Sequence, residues 1–142
     1  MRFWDSSAVV PLVCRERQSA ACRGWLRSDQ VMIVWALAGC EVVSALARKR
    51  REGALDPQRF AIAKRRLVKL ENAWTEVIRY DVVQSRARRL LETHALRAAD
   101  ALHLAAALAA VEERTADMEF VTFDQRLAEA AGKEGFRVLD AP

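Results

Sequence analysis

Met1-Arg2-Phe3-Trp4-Asp5-Ser6-Ser7-Ala8-Val9-Val10 is the stretch on which the reading of the whole chain turns. Its first four residues are short, apolar and aromatic-rich, the composition of a buried strand. The strand ends in an acid, Asp5. Two hydroxyls follow, Ser6 and Ser7, and then an apolar run from Ala8 to Val13 of helix-compatible length. A carboxylate where a strand stops and a helix starts lies on the carboxyl edge of a sheet, where open α/β folds place their ligands. Asp and Ser are also the residues that cap helices, because their oxygens satisfy orphan amides. The opening stretch by itself supports both readings of Asp5.

Outward from that stretch, strand-like and helix-like segments alternate. Ser19 to Ser28 is expected to be a short helix with Ala20, Cys22, Trp25 and Leu26 available to the core. Val31 to Val34 is dense enough in apolar and β-branched residues for a strand. Trp35 to Arg51 is helical in pattern and is stopped by Gly53, as C′ glycines stop helices. Asp56-Pro57 restarts a helix, a cap followed by proline in the first turn. That helix runs to about Asn72, with Phe60, Ala63, Leu67 and Leu70 at core spacing. Val77 and Ile78 suggest a strand over Glu76 to Arg79. Asp81 opens a helix to His94 with Val82, Val83, Ala87, Leu90 and Leu91 inward. Ala98 to Arg114 is a long alanine-rich helix, Glu119 to Thr122 a strand, Asp124 to Gly132 a helix, and Phe136 to Leu139 a last strand. Such alternation predicts an α/β protein with a parallel, helix-covered sheet. No repeat or linker interrupts it, and residues 1–142 read as one domain.

Composition agrees. The chain has 142 residues, 52% of them hydrophobic and 30% charged, which is a globular balance with enough length for a core. No apolar run reaches membrane length without a charge and no secretory pattern opens the chain, so a cytoplasmic protein is expected. Cys14, Cys22 and Cys40 are odd in number and lack CxxC spacing, and are expected to be reduced and half-buried. The five glycines form neither a dinucleotide fingerprint nor a P-loop. The net charge of +4 is compatible with a polyanionic partner. Arg48-Lys49-Arg50-Arg51 and Lys64-Arg65-Arg66 with Lys69 flank the Gly53 turn; in a helical hairpin they would form a phosphate-facing rim, or simply a solvated face. Arg86, Arg88 and Arg89 form a third patch. Trp25, Trp35 and Trp74 read as core or interface anchors, not as exposed stacking platforms.

Four acids stand apart from the basic residues. Asp5 ends an apolar strand. Glu41 is the only charge between Val31 and Ala47, and Asp100 sits in Ala98-Ala99-Asp100-Ala101-Leu102. Asp124 directly follows Phe120-Val121-Thr122-Phe123. Carboxylates are almost never buried unless paired. The nearest same-face cation for Glu41 is Arg48, two turns away, whereas Asp100 has Arg97 one turn earlier. One divalent cation would satisfy all four together, and an acid-only cluster suits Mg²⁺ or Mn²⁺. Separately, Asp5 and Asp124 could be caps, but Glu41 and Asp100 are read as mid-helix, where capping is not available. His103 could share a helix face with Asp100, but a lone His in an apolar helix is expected to be a satisfied core residue.

The residues that carry these features resemble the PIN-domain ribonucleases, and among them the VapC-type toxins of toxin–antitoxin pairs. The matching pieces are Phe3-Trp4-Asp5-Ser6-Ser7-Ala8, Glu41 to Arg48, Arg97-Ala98-Ala99-Asp100-Ala101-Leu102-His103-Leu104-Ala105, and Val121-Thr122-Phe123-Asp124-Gln125-Arg126-Leu127. They span most of the chain in the family's order. The resemblance implies a three-layer α/β/α sandwich with a central, mainly parallel sheet. It implies a metal-dependent endoribonuclease, with Asp5, Asp100 and Asp124 holding Mg²⁺ or Mn²⁺ and Glu41 holding or orienting water. It implies hydroxyl support from Ser6 or Ser7 and from Thr122, an RNA substrate, a small cognate antitoxin and a homodimer. The rivals are a PIN-like module that only binds RNA or protein, a structural α/β domain with buried ion pairs, and a haloacid-dehalogenase-like phosphatase. The last wants a second acid two residues after the first, where Ser7 stands.

Overall fold

β1 (Arg2–Trp4) is the middle strand of a five-stranded sheet of order β3-β2-β1-β4-β5, in which every neighbouring pair is parallel. The structure, a computed structural model, describes residues 1–140. The other strands are β2 (Met32–Trp35), β3 (Thr75–Val77), β4 (Glu119–Val121) and β5 (Arg137–Leu139). Phe3 pairs with Ile33 on one side and Phe120 on the other, and Trp4 pairs with Val121. The helices are α1 (Ser6–Val13), α2 (Ser19–Ser28), α3 (Ala38–Arg51), α4 (Pro57–Glu71), α5 (Tyr80–Thr93), α6 (Ala98–Ala110) and α7 (Gln125–Lys133).

Consecutive side chains of a strand point to opposite faces, and β1 shows the consequence directly. Phe3 joins Ile33, Trp35 and Phe120 under α5, α6 and α7, in a core supplied by Val83, Leu90, Leu104, Leu108 and Leu127. Trp4 joins Met32, Val34 and Val121 on the other face, under α1 to α4, with Val9, Val13, Val42, Leu46 and Leu67. Both Phe3 and Trp4 are fully buried, which is why this strand reads as a continuous apolar run. The expected α/β/α sandwich is therefore present, with a sheet that is parallel throughout. The alanines of α6 let it pack closely on both the sheet and α5.

From β1 the chain adds strands in one direction, to β2 and β3, and then returns to add β4 and β5 on the other side. The order reverses between β1 and β4. In open parallel sheets the crevice at that reversal, beyond the carboxyl ends of the strands, is the ligand position. Asp5 leaves β1 there and Thr122 leaves β4 there.

The elements follow the sequence reading, with several differences. The strand expected at Val31 to Val34 is shifted by one residue and takes in Trp35, whose pairing with Val77 holds it in the sheet. α3 consequently starts at Ala38 instead of Trp35. α6 stops at Ala110 instead of Arg114, because Glu112 and Glu113 adopt left-handed backbone with φ of 48° and 67°. The strand expected over Glu76 to Arg79 is Thr75–Val77, and Ile78 is exposed beyond it. Leu91 points outward at 40% exposure, because the core-facing stripe of α5 runs through Val83, Ala87 and Leu90. Cys14 and Cys22 are buried and Cys40 is exposed, so none is half-buried as expected. Burial pushes the Cys22 thiol up to about 12 and, with the Glu16 charge also acting on it, keeps it protonated and inert.

Candidate active site

Helix starts supply the site. Asp5 is the N-cap of α1 and Asp124 the N-cap of α7, and each carboxylate accepts a backbone amide of the helix it caps. Glu41 and Asp100 lie in the first turns of α3 and α6. Neither is mid-helix, so that expectation is corrected: β2 runs on through Trp35, which places Glu41 only three residues after the start of α3. Four acids thus sit at four helix N-termini, where the helix dipole favours negative charge. The cap and site readings of Asp5 are compatible.

Asp5 is 4% exposed and is held by hydroxyls. Its Oδ2 accepts from the Ser7 amide at 3.1 Å, the Ser7 hydroxyl at 2.5 Å and the Thr122 hydroxyl at 3.0 Å. Each hydroxyl is itself fixed from behind. Ser7 Oγ accepts the Phe123 amide at 2.9 Å, and Thr122 Oγ1 accepts the Asp124 amide at 3.1 Å. The two loops that leave β1 and β4 are locked together through these bonds, and Asp5 keeps Oδ1 free of them. Ser7→Ala removes one donor to a buried carboxylate and strands the Phe123 amide. It is expected to cost about 1–3 kcal/mol of stability, read as a fall in Tm of several degrees.

Glu41 Oε2 accepts from the Ser6 hydroxyl at 2.8 Å and from His103 Nε2 at 2.8 Å. His103 is therefore its partner, not Arg48. His103 Nε2 also lies 3.5 Å from Asp5 Oδ1, so one buried ring bridges the two acids. Because a carboxylate only accepts, Nε2 carries the proton. Nδ1 is buried with no partner among the described residues. Sequence reasoning underrated this residue. The available signal was its position one turn after Asp100, on a helix otherwise nearly free of polar side chains.

The electrostatics follow from this packing. Burial works to raise the Glu41 carboxyl, but the His103 and Ser6 hydrogen bonds and the His103 charge outweigh it and hold the group below its ordinary value. Burial works to lower His103, but the charges of Asp5, Glu41 and Asp100, with the Glu41 hydrogen bond, raise it. Asp100 is pushed up by burial and then by the Asp124 and Asp5 charges, opposed by the Arg97 amide and His103. The Asp5 and Asp124 charges act on Asp100, but neither Asp100 nor Asp124 belongs to the close group of donor atoms formed by Asp5, Glu41 and His103. One donor atom from each of Asp5, Glu41 and His103 lies within 4.8 Å of the others. An excess of negative charge that raises one of its own members fits a divalent cation. With Nε2 protonated, the available donors are oxygens, which suits a hard ion.

The basic cluster divides. Arg48 and Lys49 border a cavity of about 270 Å³ that reaches Ser6, Ser7 and Glu41, and Lys49 pairs with Glu16. Arg50 instead lies over the Phe60 ring at 5.3 Å, away from the acids, and Arg51 is exposed at the end of α3.

A fully parallel, two-faced sheet with a carboxylate and hydroxyl centre at its switch point defines a three-layer α/β/α protein with an acidic site. Residues 2–133 match the PIN domain, and the chain belongs to that family. Ribonuclease VapC45 of Mycobacterium tuberculosis (strain CDC 1551 / Oshkosh) is 32% identical over 139 residues, 98% of this chain and 94% of that protein. Ribonuclease VapC46 of Mycobacterium tuberculosis (strain ATCC 25618 / H37Rv) is 34% identical over 138 residues, 96% of this chain and 95% of that protein. Among solved structures, FitAcB from Neisseria gonorrhoeae shares the fold with a TM-score of 0.65 at 14% identity, over 99% of this chain and 97% of that one. PAE2754 from Pyrobaculum aerophilum gives 0.64 at 22% identity, over 96% and 81%. Membership of the PIN family removes the phosphatase rival. No helix among the described residues is long and apolar enough to cross a membrane.

Proposed function

We propose that the chain is a divalent-cation-dependent endoribonuclease, the toxin of a VapC-type toxin–antitoxin pair, and that Asp5, Glu41, Asp100 and Asp124 carry the reaction. The observation that supports this most directly is Asp5, a buried carboxylate held by two hydroxyls at the switch-point crevice, with Glu41 and His103 in the same group of donor atoms. Asp5, Asp100 and Asp124 are the proposed holders of Mg²⁺ or Mn²⁺. When bound there, such an ion supplies charge neutralisation at the phosphate and lowers the pKa of water. Ser7 and Thr122 fix the Asp5 carboxylate, so little reorganisation is needed when phosphate arrives. Glu41 is kept ionised, and its Oε1 has no hydrogen-bond partner among the described residues. Oε1 orients the attacking water and accepts its proton as the water oxygen bonds to phosphorus; the bond to the ribose oxygen breaks, and that oxygen takes a proton from solvent. His103 is a positioning residue that holds Glu41 against Asp5.

Arg48 and Lys49 are the proposed phosphate contacts beside the centre. A small antitoxin and a second copy of the chain are the proposed protein partners, and the cytoplasm the proposed compartment. Glu41→Gln and Asp100→Asn should each reduce cleavage of an unstructured RNA by about 100-fold or more in Mg²⁺ or Mn²⁺. Expression of the wild type should arrest growth, and Asp100→Asn should relieve the arrest. Undiminished cleavage by either purified variant would exclude that residue from the reaction.

A further inference from the structure

We propose that a second cavity beside the acidic centre, between α7 and the start of α2, is a nucleobase pocket that selects an unpaired base bearing an exocyclic amine. This rests on the ribonuclease reading and extends it to substrate choice. The cavity has a volume of about 590 Å³, room for a base and its ribose. It shares Thr122 and Asp124 with the centre and is otherwise walled by Gln18, Phe123, Gln125, Glu129 and Asp140, with Ala128 leaving space on α7.

Its chemistry differs from that of the cavity beside α3, where Glu16 and Glu41 are balanced by Arg48 and Lys49. The 270 Å³ cavity runs from Glu41 to Arg48 and Lys49. Glu41 and Arg48 are two turns apart on α3, about 10 Å along its axis. Backbone phosphate belongs there. The 590 Å³ cavity has three acids in its lining and no Lys or Arg, so phosphate is repelled from it. A strand crossing the centre therefore lays its backbone toward α3 and turns a base toward α7.

The groups that would read the base are not used by the fold. Gln18 occupies the N-cap position of α2 yet makes no side-chain cap bond, and Gln125 opens α7, whose cap is Asp124. A glutamine amide offers a donor and an acceptor together, the pair needed to read a base edge. Glu129 and Asp140 accept only, so the edge they face has to donate; an exocyclic amine of cytosine, adenine or guanine brings two N–H bonds, whereas the single N3–H of uracil stands between two carbonyl oxygens that the carboxylates repel. Phe123 supplies an aromatic wall. Its amide is tied to Ser7 and its ring packs on Trp25 with centroids 6.2 Å apart and planes 24° apart, which holds it in place for an unstacked base. A cationic side chain from a protein would be served by the acids alone and would leave the amides and the ring unexplained.

The test is single-turnover cleavage of short unstructured RNAs that differ at one nucleotide on either side of a mapped cut. Paired substitutions remove only the amine: inosine for guanosine, pyrimidin-2-one riboside for cytidine and purine riboside for adenosine. At one flanking position the wild type should favour an amine-bearing base by about tenfold in kcat/KM. Gln18→Ala with Gln125→Ala should reduce that preference to within about threefold. Gln125 is exposed and Gln18 partly so, and Asp140→Asn, also exposed, provides a second variant should the first not fold. Cleavage with a flat profile at every position, or an unchanged profile in both variants, overturns the base pocket and leaves the nuclease intact. Loss of binding to a basic peptide with the profile unchanged assigns the cavity to a protein partner and also overturns it. Absence of cleavage by folded wild type in either metal overturns both readings.

Discussion

Replacement of Asp5 by asparagine is expected to abolish RNA cleavage, by about 100-fold to 1,000-fold or more, while the protein folds and melts normally. The two halves of this expectation have different physical origins. Asparagine is as good an N-cap as aspartate, so the α1 cap survives, and its oxygen can still accept from Ser7 and Thr122. The change in stability should therefore stay within about 1 kcal/mol, a few degrees in Tm. The substitution also removes one of the charges that push Asp100 up. That relief is opposed by loss of the Asp5 charge that favours protonated His103, so the metal-free variant should melt within a few degrees of the wild type. Addition of Mg²⁺ or Mn²⁺ should raise the Tm of the wild type and not that of the variant. Cleavage above about a tenth of the wild-type rate would remove Asp5 from the chemistry, and a metal response equal to wild type would remove it from the metal site.

Much of this architecture was legible in the sequence, for reasons that lie in single residues. Phe3 and Trp4 of β1 are buried on opposite faces, and a strand buried on both faces has no polar alternation to hide it. Asp56-Pro57 and Gly53 mark helix ends by backbone chemistry that does not depend on tertiary context. Boundaries set by pairing were less legible. Trp35 belongs to β2 because β3 lies beside it, and nothing local distinguishes it from the first residue of a helix. That one shift moved Glu41 from mid-helix to a helix start and changed its electrostatics. Leu91 was placed inward by a pattern in which Leu90 and Leu91 compete for one stripe, and only the packing of α5 on α6 decides between them. His103, expected to be a satisfied core residue, is the larger difference. Its partners, Glu41 and Asp5, are 62 and 98 positions away in the chain, and local pattern carries no information at that range. The acids were found because each is improbable where it stands. The histidine is improbable only once they are placed around it.

The pH dependence of stability should invert when a divalent cation is added, and His103 is the reason. Its folded-state pKa is raised above the ordinary 6.5, because the Asp5, Glu41 and Asp100 charges outweigh burial. A raised value means that the stabilising form is the protonated one. That contribution is fully present below pH 6.5 and is lost as pH rises through the folded value. Asp100 is raised too, so its contribution is present below its ordinary 3.8 and is lost as pH climbs through its own folded value. Glu41 runs the other way: its lowered value gives stability above 4.5 that is lost as pH falls. Metal-free protein should therefore lose stability, and its Tm should fall, as pH rises above 6.5. A cation among the same acids replaces the proton, and its binding strengthens as protons leave. At a hundredfold excess over Kd it stabilises by about 2.7 kcal/mol, roughly 10 °C for a chain of this size. The metal-induced increase in Tm should thus grow steadily from pH 5.5 to 8. In His103→Gln the amide still donates to Glu41, but no proton is exchanged there. The metal-free decline above pH 6.5 should vanish, and the metal response should persist with a flatter pH dependence. A decline unchanged in His103→Gln would place the titrating group elsewhere and leave His103 a neutral crosslink between Glu41 and Asp5.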